Sequence, residues 1–205
     1  MPSDNILHQP LVFRSLKKKL PELCDAIDGY ITLEQAGKLK IIKAHYENLE
    51  SQKAEFEELI LALATPYQQE LTILQTAHGI SSTFTVIGII SEIGTNMEAF
   101  PSTKHLCSCA GLTPTNTESA GEKKSFRVFK TGCYIKPLLL QCAKAVVKST
   151  KHPEMRNRYL RLKKRRGHKK TIIAIARMLL TALYHMLKNS ENYNAELYQK
   201  PKIKI

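Results

Sequence analysis

Leu39, Ile42, Tyr46, Leu49, Lys53, Phe56, Ile60 and Leu63 recur at alternating steps of three and four, a heptad seam with one lysine at an inward position. That period predicts a helix over residues 33–66. Its seam alone would be about 37 Å long at 1.5 Å per residue. The remaining positions are rich in Glu and Lys, as the outer faces of a solvated coiled coil would be. The seam calls for a partner helix, with a second copy of the chain as the expected one and packing on the chain's own domain as the alternative. Lys53 would set register or oligomer state at some cost in stability. Pro66 ends or breaks the pattern.

From Tyr67 a second helical pattern, with Leu71 and Leu74 inward, runs to His78-Gly79-Ile80-Ser81 and is followed by an apolar stretch ending Glu92-Ile93-Gly94. This parses as helix, tight turn, helix. The turn around Gly79 and Ser81 has two readings, plain helical packing or presentation of backbone N–H groups to a phosphate. Further on, residues 134–147 form an apolar pattern with Lys136, Lys144 and Lys148 projecting, a helix starting near Gly132 with Pro137 in its first turn. Tyr134 is expected to be buried at that helix start; no arginine–histidine constellation surrounds it to make it a nucleophile. Residues 171–188 place Ile172, Ile175, Ala176, Leu179, Leu180, Leu183 and Leu187 on one face of a closing amphipathic helix.

The expected architecture is therefore all-α. An N-terminal segment covers residues 1–32, a coiled-coil helix 33–66, a compact helical domain with a helix-turn-helix (helix-hairpin-helix-like) element 67–190, and a flexible polar tail 191–205. At 205 residues the chain is long enough for one real core plus an extended element. The apolar runs, such as residues 86–90, are too short to span a bilayer, and no signal-peptide pattern opens the chain. A soluble, cytoplasmic protein without a membrane partner is expected. Its five cysteines, at 24, 107, 109, 133 and 142, are odd in number, lack a framework spacing and should stay reduced. His105-Leu-Cys107-Ser-Cys109 lacks the second ligand pair of a zinc site, so small thiols packed under a helix are the expectation there.

Charge changes the picture. Residues 1–120 carry 9 Lys+Arg against 14 Asp+Glu, whereas residues 121–205 carry 22 against 4, so the halves are near −5 and +18. A field of that size attracts polyanions, and nucleic acid is the default partner. The densest run, Leu160 to Lys170, holds Arg161, Lys163, Lys164, Arg165, Arg166, Lys169 and Lys170 with no acid between them. Phosphate-backbone contact is expected there rather than a merely solvated face.

Between Gly111 and Gly132 lies a glycine-bounded loop that sets Ser119 at the edge of Lys123, Lys124, Arg127 and Lys130. Glycines let the backbone approach a bulky ligand, and the cations favour a phosphate as that ligand. Ser125 is the other candidate hydroxyl.

Four pieces in order carry a family resemblance: Ile80 to Gly94, Cys109-Ala-Gly-Leu-Thr-Pro114, Glu118-Ser-Ala-Gly121 with its basic run to Gly132, and Gly167-His-Lys-Lys170 leading into Ile173 to Leu180. Together they resemble the C-terminal domain of the insertion-sequence 110/116/902 transposases, and residues 33–66 are similar to that family's linking coiled coil. The resemblance covers residues 33–190. It implies a DNA recombinase guided by a structured RNA, with Ser119 as the matching nucleophile. Lys123, Lys124, Arg127 and Lys130 would hold the scissile strand and offset charge in the transition state. A cytoplasmic, nucleoid-associated prokaryotic protein is implied.

The sequence departs from the family in one respect. Full-length members resemble a fusion of this part to an N-terminal RuvC-like domain with a Mg²⁺ site of four acidic residues. Here the only aspartates are Asp4, Asp25 and Asp28, and no alternating strand and helix pattern precedes the coiled coil. No cofactor is therefore expected in this chain itself, and weak or no cleavage is expected without a RuvC-like partner. Two further readings remain, a non-catalytic nucleic-acid-binding protein and a coiled-coil adaptor whose basic half is a docking surface.

Overall fold

In the computed structural model the described residues are 18–19, 21–22, 25, 29–114, 117–119, 122–125 and 131–196. Contacts divide the chain into two units, residues 1–61 and 62–205.

The first unit is dominated by helix α1, Leu33–Ala64. Its start is fixed by a capping box. The Thr32 hydroxyl accepts from the Gln35 N–H at 3.2 Å, and the Gln35 side chain accepts from the Thr32 N–H at 3.0 Å. Along the shaft Lys38 pairs with Glu34, Lys43 with Glu47 at 3.7 Å and Lys53 with Glu57 at 3.6 Å. Such exposed i,i+4 pairs stabilise a helix by about 0.3–0.5 kcal/mol each. The apolar seam is solvent-facing throughout: Leu39, Ile42, Tyr46, Leu49, Phe56, Ile60 and Leu63 are all exposed. Pro66 then turns the chain through a short 3₁₀ segment, Thr65–Tyr67.

The second unit is helical. Its elements are α2 (Gln68–Gln75), α3 (Thr83–Ile93), α4 (Thr103–Cys109), α5 (Ile135–Lys148), α6 (Pro153–Arg166) and α7 (His168–Asn189). The core is built on α7, which packs against α2, α4, α5, α6 and the 3₁₀ turn Met97–Ala99. All seven positions expected to face inward, from Ile172 to Leu187, are buried, as are Leu71 and Leu74 of α2. Each buried leucine or isoleucine among them contributes about 1.5–3 kcal/mol. By length and composition alone α7 could cross a bilayer, but its apolar face is this domain's interior.

The glycine-bounded loop is not wholly irregular. Its backbone forms an antiparallel hairpin of β1 (Thr117–Ser119) and β2 (Glu122–Ser125), with an irregularity between Thr117 and Glu118. This small ribbon is an addition to what is otherwise an all-α architecture among the described residues.

Two further expectations are corrected. Tyr134, expected to be buried where α5 begins, is 74% exposed, because Ile135 and Leu139 take the inward positions of the first turn. The start of the supposed tail is packed: the Tyr193 N–H donates to the Thr76 hydroxyl at 2.9 Å, and its ring lies 4.4 Å from that of His78. Residues 197–205 lie outside the described residues.

Candidate nucleic-acid interface

The basic run from residue 160 to 170 is helical on both sides of a corner. Pro153 opens α6 and Glu154 lies in its first turn, while Lys163, Lys164, Arg165 and Arg166 crowd its last turn. Acid at the N-terminus and base at the C-terminus both match the helix dipole. Gly167 then makes the corner at φ +74 and ψ 169, a conformation that only glycine adopts without strain.

Helix α7 restarts at once with His168, Lys169 and Lys170. Its first turn carries no acid, and Gly167 offers no side-chain cap. Cations are thus stacked on the positive end of a 22-residue helix, where the first backbone N–H groups lack an intrahelical acceptor. An anion at this corner would relieve that repulsion. Arg161, Lys163, Lys164, Arg165, Arg166, Lys169 and Lys170 are all exposed, and among the described residues none of them forms an ion pair.

Beside the corner runs an open groove between α5, α6 and α7. It is lined by Lys144, Lys148 and Arg156, by Tyr159 and His168, and by the buried Val147 and Ile172. The Tyr159 hydroxyl and His168 Nδ1 are 2.7 Å apart, and Lys163 Nζ sits 5.8 Å from the centre of the Tyr159 ring. Cations around an aromatic wall and an apolar floor suit a sugar-phosphate strand with its bases turned inward. The sequence reading named the cations but missed the aromatic pair, because Tyr159 and His168 meet only across the corner.

Ser119 closes β1 and pairs with Glu122 in the hairpin register, so it stands at the tip; Ser125 pairs with Thr117 at the base. For Ser119, Lys123, Lys124 and Ser125 the structure describes the backbone alone, and Arg127 and Lys130 lie outside the described residues. The hairpin is held to the helical body at its neck. Gly132, at φ +68, brings its Cα so close to Ala110 that a Cβ there would meet the Ala110 carbonyl oxygen at 2.5 Å. The Thr131 hydroxyl also donates to the Ser108 carbonyl at 3.3 Å.

At the α2–α3 turn, Gly79 is at φ +82 and lies against α5, where a Cβ would meet Val146 Cβ at 2.9 Å and the Cys142 carbonyl at 3.0 Å. Of its two readings, packing is what this geometry displays. Ser81 is exposed just ahead of α3, whose N-cap residue Ser82 makes no side-chain cap bond. In the His105–Cys109 stretch, Cys107 is buried with its Sγ 3.9 Å from the Thr181 hydroxyl, whereas Cys109 is exposed.

No curated protein and no solved structure matches the chain. A family model does match, described as "Transposase IS116/IS110/IS902 family", over residues 71–160. The matched stretch begins in α2, takes in the hairpin with Ser119 and ends within α6. Over these residues the chain is similar to the IS116/IS110/IS902 family of insertion-sequence transposases, which supports a transposase of that family.

Proposed function

We propose that this chain is the DNA-handling and strand-exchanging part of its transposase, with Ser119 as the nucleophile. The observation that carries the reading is the family match itself, because it spans Ser119 at a hairpin tip and runs into the basic helix α6. The Ser119 oxygen attacks a DNA phosphorus, the bond to one flanking sugar oxygen breaks, and the serine proton passes to that oxygen to give a free hydroxyl end. The phosphoserine link conserves the energy of the broken ester, so rejoining to another strand end needs no external energy source. Lys123, Lys124, Arg127 and Lys130 offset charge on the phosphorane-like transition state.

DNA is held along the α6–α7 corner and its groove, with a structured guide RNA as the second polyanion. The helix-turn-helix element, with Ser81 at the start of α3, is a secondary contact. Two copies of α1 pair through the exposed seam, which brings two serine domains to one recombination site. Efficient cleavage draws on Mg²⁺ held by a RuvC-like acidic partner domain, in the cytoplasm near the nucleoid. A non-catalytic nucleic-acid-binding protein is the second reading, favoured by the basic corner, which would bind DNA with or without Ser119.

The deciding experiment incubates the chain, with and without a RuvC-like partner and Mg²⁺, with DNA ends of its element. A covalent protein–DNA adduct that forms with the native serine and is lost in Ser119→Ala supports the recombinase. Tight, salt-sensitive binding with no adduct under any condition supports the second reading.

A further inference from the structure

His78 follows α2 in the turn that Gly79 clamps against α5, while His152 and Glu154 stand at the entry to α6. Glu154 Oε1 lies 3.2 Å from His78 Nδ1 and 3.9 Å from His152 Nδ1. One ligand atom from each of the three residues falls within 4.8 Å of the others. His78 Nδ1 and Glu154 Oε1 are both shielded from solvent, and neither makes a hydrogen bond, since their 3.2 Å approach is an ion-pair distance without hydrogen-bond geometry. Buried polar atoms that make no hydrogen bond are costly, on the order of 1–3 kcal/mol each, and call for an explanation beyond this one ion pair.

From these positions we infer a site for a first-row divalent transition metal, with His78, His152 and Glu154 as its three protein ligands. Ligands at about 2.0–2.1 Å on a tetrahedral ion stand roughly 3.3 Å apart; the His78–Glu154 pair, at 3.2 Å, already has that spacing, whereas His152 Nδ1, 3.9 Å from Glu154, must move inward to complete the set. Two imidazoles and one carboxylate suit Zn²⁺, Co²⁺ or Ni²⁺, whereas Mg²⁺ prefers an all-oxygen octahedron that keeps several waters. The two imidazoles stack at 3.6 Å between ring centres, so binding turns the His152 ring about its χ angles to aim its nitrogen at the ion. His152 is the N-cap residue of α6, outside the helix proper. The fourth coordination position is left to solvent.

Burial, and next the neighbouring His152, hold the His78 imidazole below its ordinary range against the opposing pull of Glu154. The ion would tie the α2–α3 turn to the first turn of α6. Tyr193 packs its ring on His78 at 4.4 Å, so the chain after α7 is drawn into the same knot. This clasp differs in ligands and place from any carboxylate-rich Mg²⁺ centre, and it does not depend on Ser119 chemistry.

The test uses the full chain, stripped of metal and titrated with Co²⁺ and, separately, Zn²⁺ and Mg²⁺. Expected are one Co²⁺ per chain, with visible bands of nitrogen and oxygen ligation and no thiolate charge-transfer band, and a melting temperature raised by Zn²⁺ but not by Mg²⁺. Glu154→Gln, which keeps the side chain's shape, and His152→Ala each weaken Co²⁺ binding at least tenfold, while His105→Ala leaves it unchanged. Absence of saturable Co²⁺ binding, a thiolate spectrum, or equal affinity in Glu154→Gln would each overturn the assignment. Because the wild-type spectrum reports the ligands directly, the proposal remains testable if His152→Ala fails to fold.

Discussion

Tyr159 Oη lies 2.7 Å from His168 Nδ1, a hydrogen bond across the Gly167 corner that joins α6 to α7. The bond fixes the direction in which the end of α6 carries its cations, and removing the Tyr159 hydroxyl leaves every one of those cations in place. Tyr159→Phe should therefore cost about 0.5–1 kcal/mol, the range for a single exposed hydrogen bond. DNA affinity should fall about two- to fivefold with the salt dependence unchanged. Binding titrations at several salt concentrations check this, and an altered slope would show that Tyr159 acts through the cations instead.

The corner cations should act as phosphate contacts. Replacing Arg165 and Arg166 with alanine should lower the slope of log affinity against log salt by about 2, roughly one per lost contact. Fluorescence anisotropy on unrelated duplexes should show the same loss for each. A slope equal to wild type would remove these arginines from the interface.

Gly79→Ala should destabilise the second unit strongly. The added methyl meets Val146 Cβ and the Cys142 carbonyl, and φ +82 strains any side chain. Strain and overpacking together cost about 2–4 kcal/mol, a melting-temperature drop on the order of 5–15 °C. Gly167→Ala has open space around its Cβ and loses only the backbone term, so it should cost less than half as much. Thermal melts of the two variants decide the order.

Four described cysteines should separate cleanly. Cys109 and Cys133 are exposed, whereas Cys107 and Cys142 are buried. A maleimide mapped by mass spectrometry should label the first two in the native protein and the others only on unfolding. Burial pushes the Cys142 thiol up to about 11 from an ordinary value of 9.0. With its folded pKa raised, Cys142 favours the fold fully below pH about 9, and that contribution, on the order of 2–3 kcal/mol, is lost as pH rises through about 11. Lysines and tyrosines titrate in the same range, so the readout is the difference between wild type and Cys142→Ala. That difference should shrink from pH 9 to pH 11.

The seam of α1 should dictate self-association. Leu49→Glu with Phe56→Glu places charge at two inward heptad positions and should convert a dimer to a monomer by light scattering, while helicity of the second unit is retained. A wild-type chain that is monomeric at high concentration would remove the pairing.

The elements that were legible are those with long, uninterrupted periodicity. Seven named positions of α7 step at helical intervals, and all seven are buried because one helix must line a core that α2, α4, α5 and α6 surround. The heptad of α1 was equally plain as a helix, and Pro66 marked its end. What escaped depends on pairing between distant segments. The hairpin was hidden because its strands are three and four residues long and polar, too short for an alternation to register. The Tyr159–His168 pair forms only once Gly167 folds the corner. His78 and His152 are 74 positions apart, and nothing in their spacing anticipates a meeting that Gly79 permits by letting α5 approach the turn. Tyr193 escaped for a related reason: a polar ending with no period gives no hint that one aromatic folds back.

Gly132 against Ala110, with Thr131 bonded to Ser108, pinches the chain where the Ser119 arm leaves the helical body and comes back to it. A segment whose two ends are already fastened can be lengthened, shortened or exchanged at little cost to the scaffold beneath, since closure entropy grows only slowly with length. The arm is thus a replaceable attachment on a fixed handle, and changes of length or sequence can accumulate in it without eroding the stability of the rest.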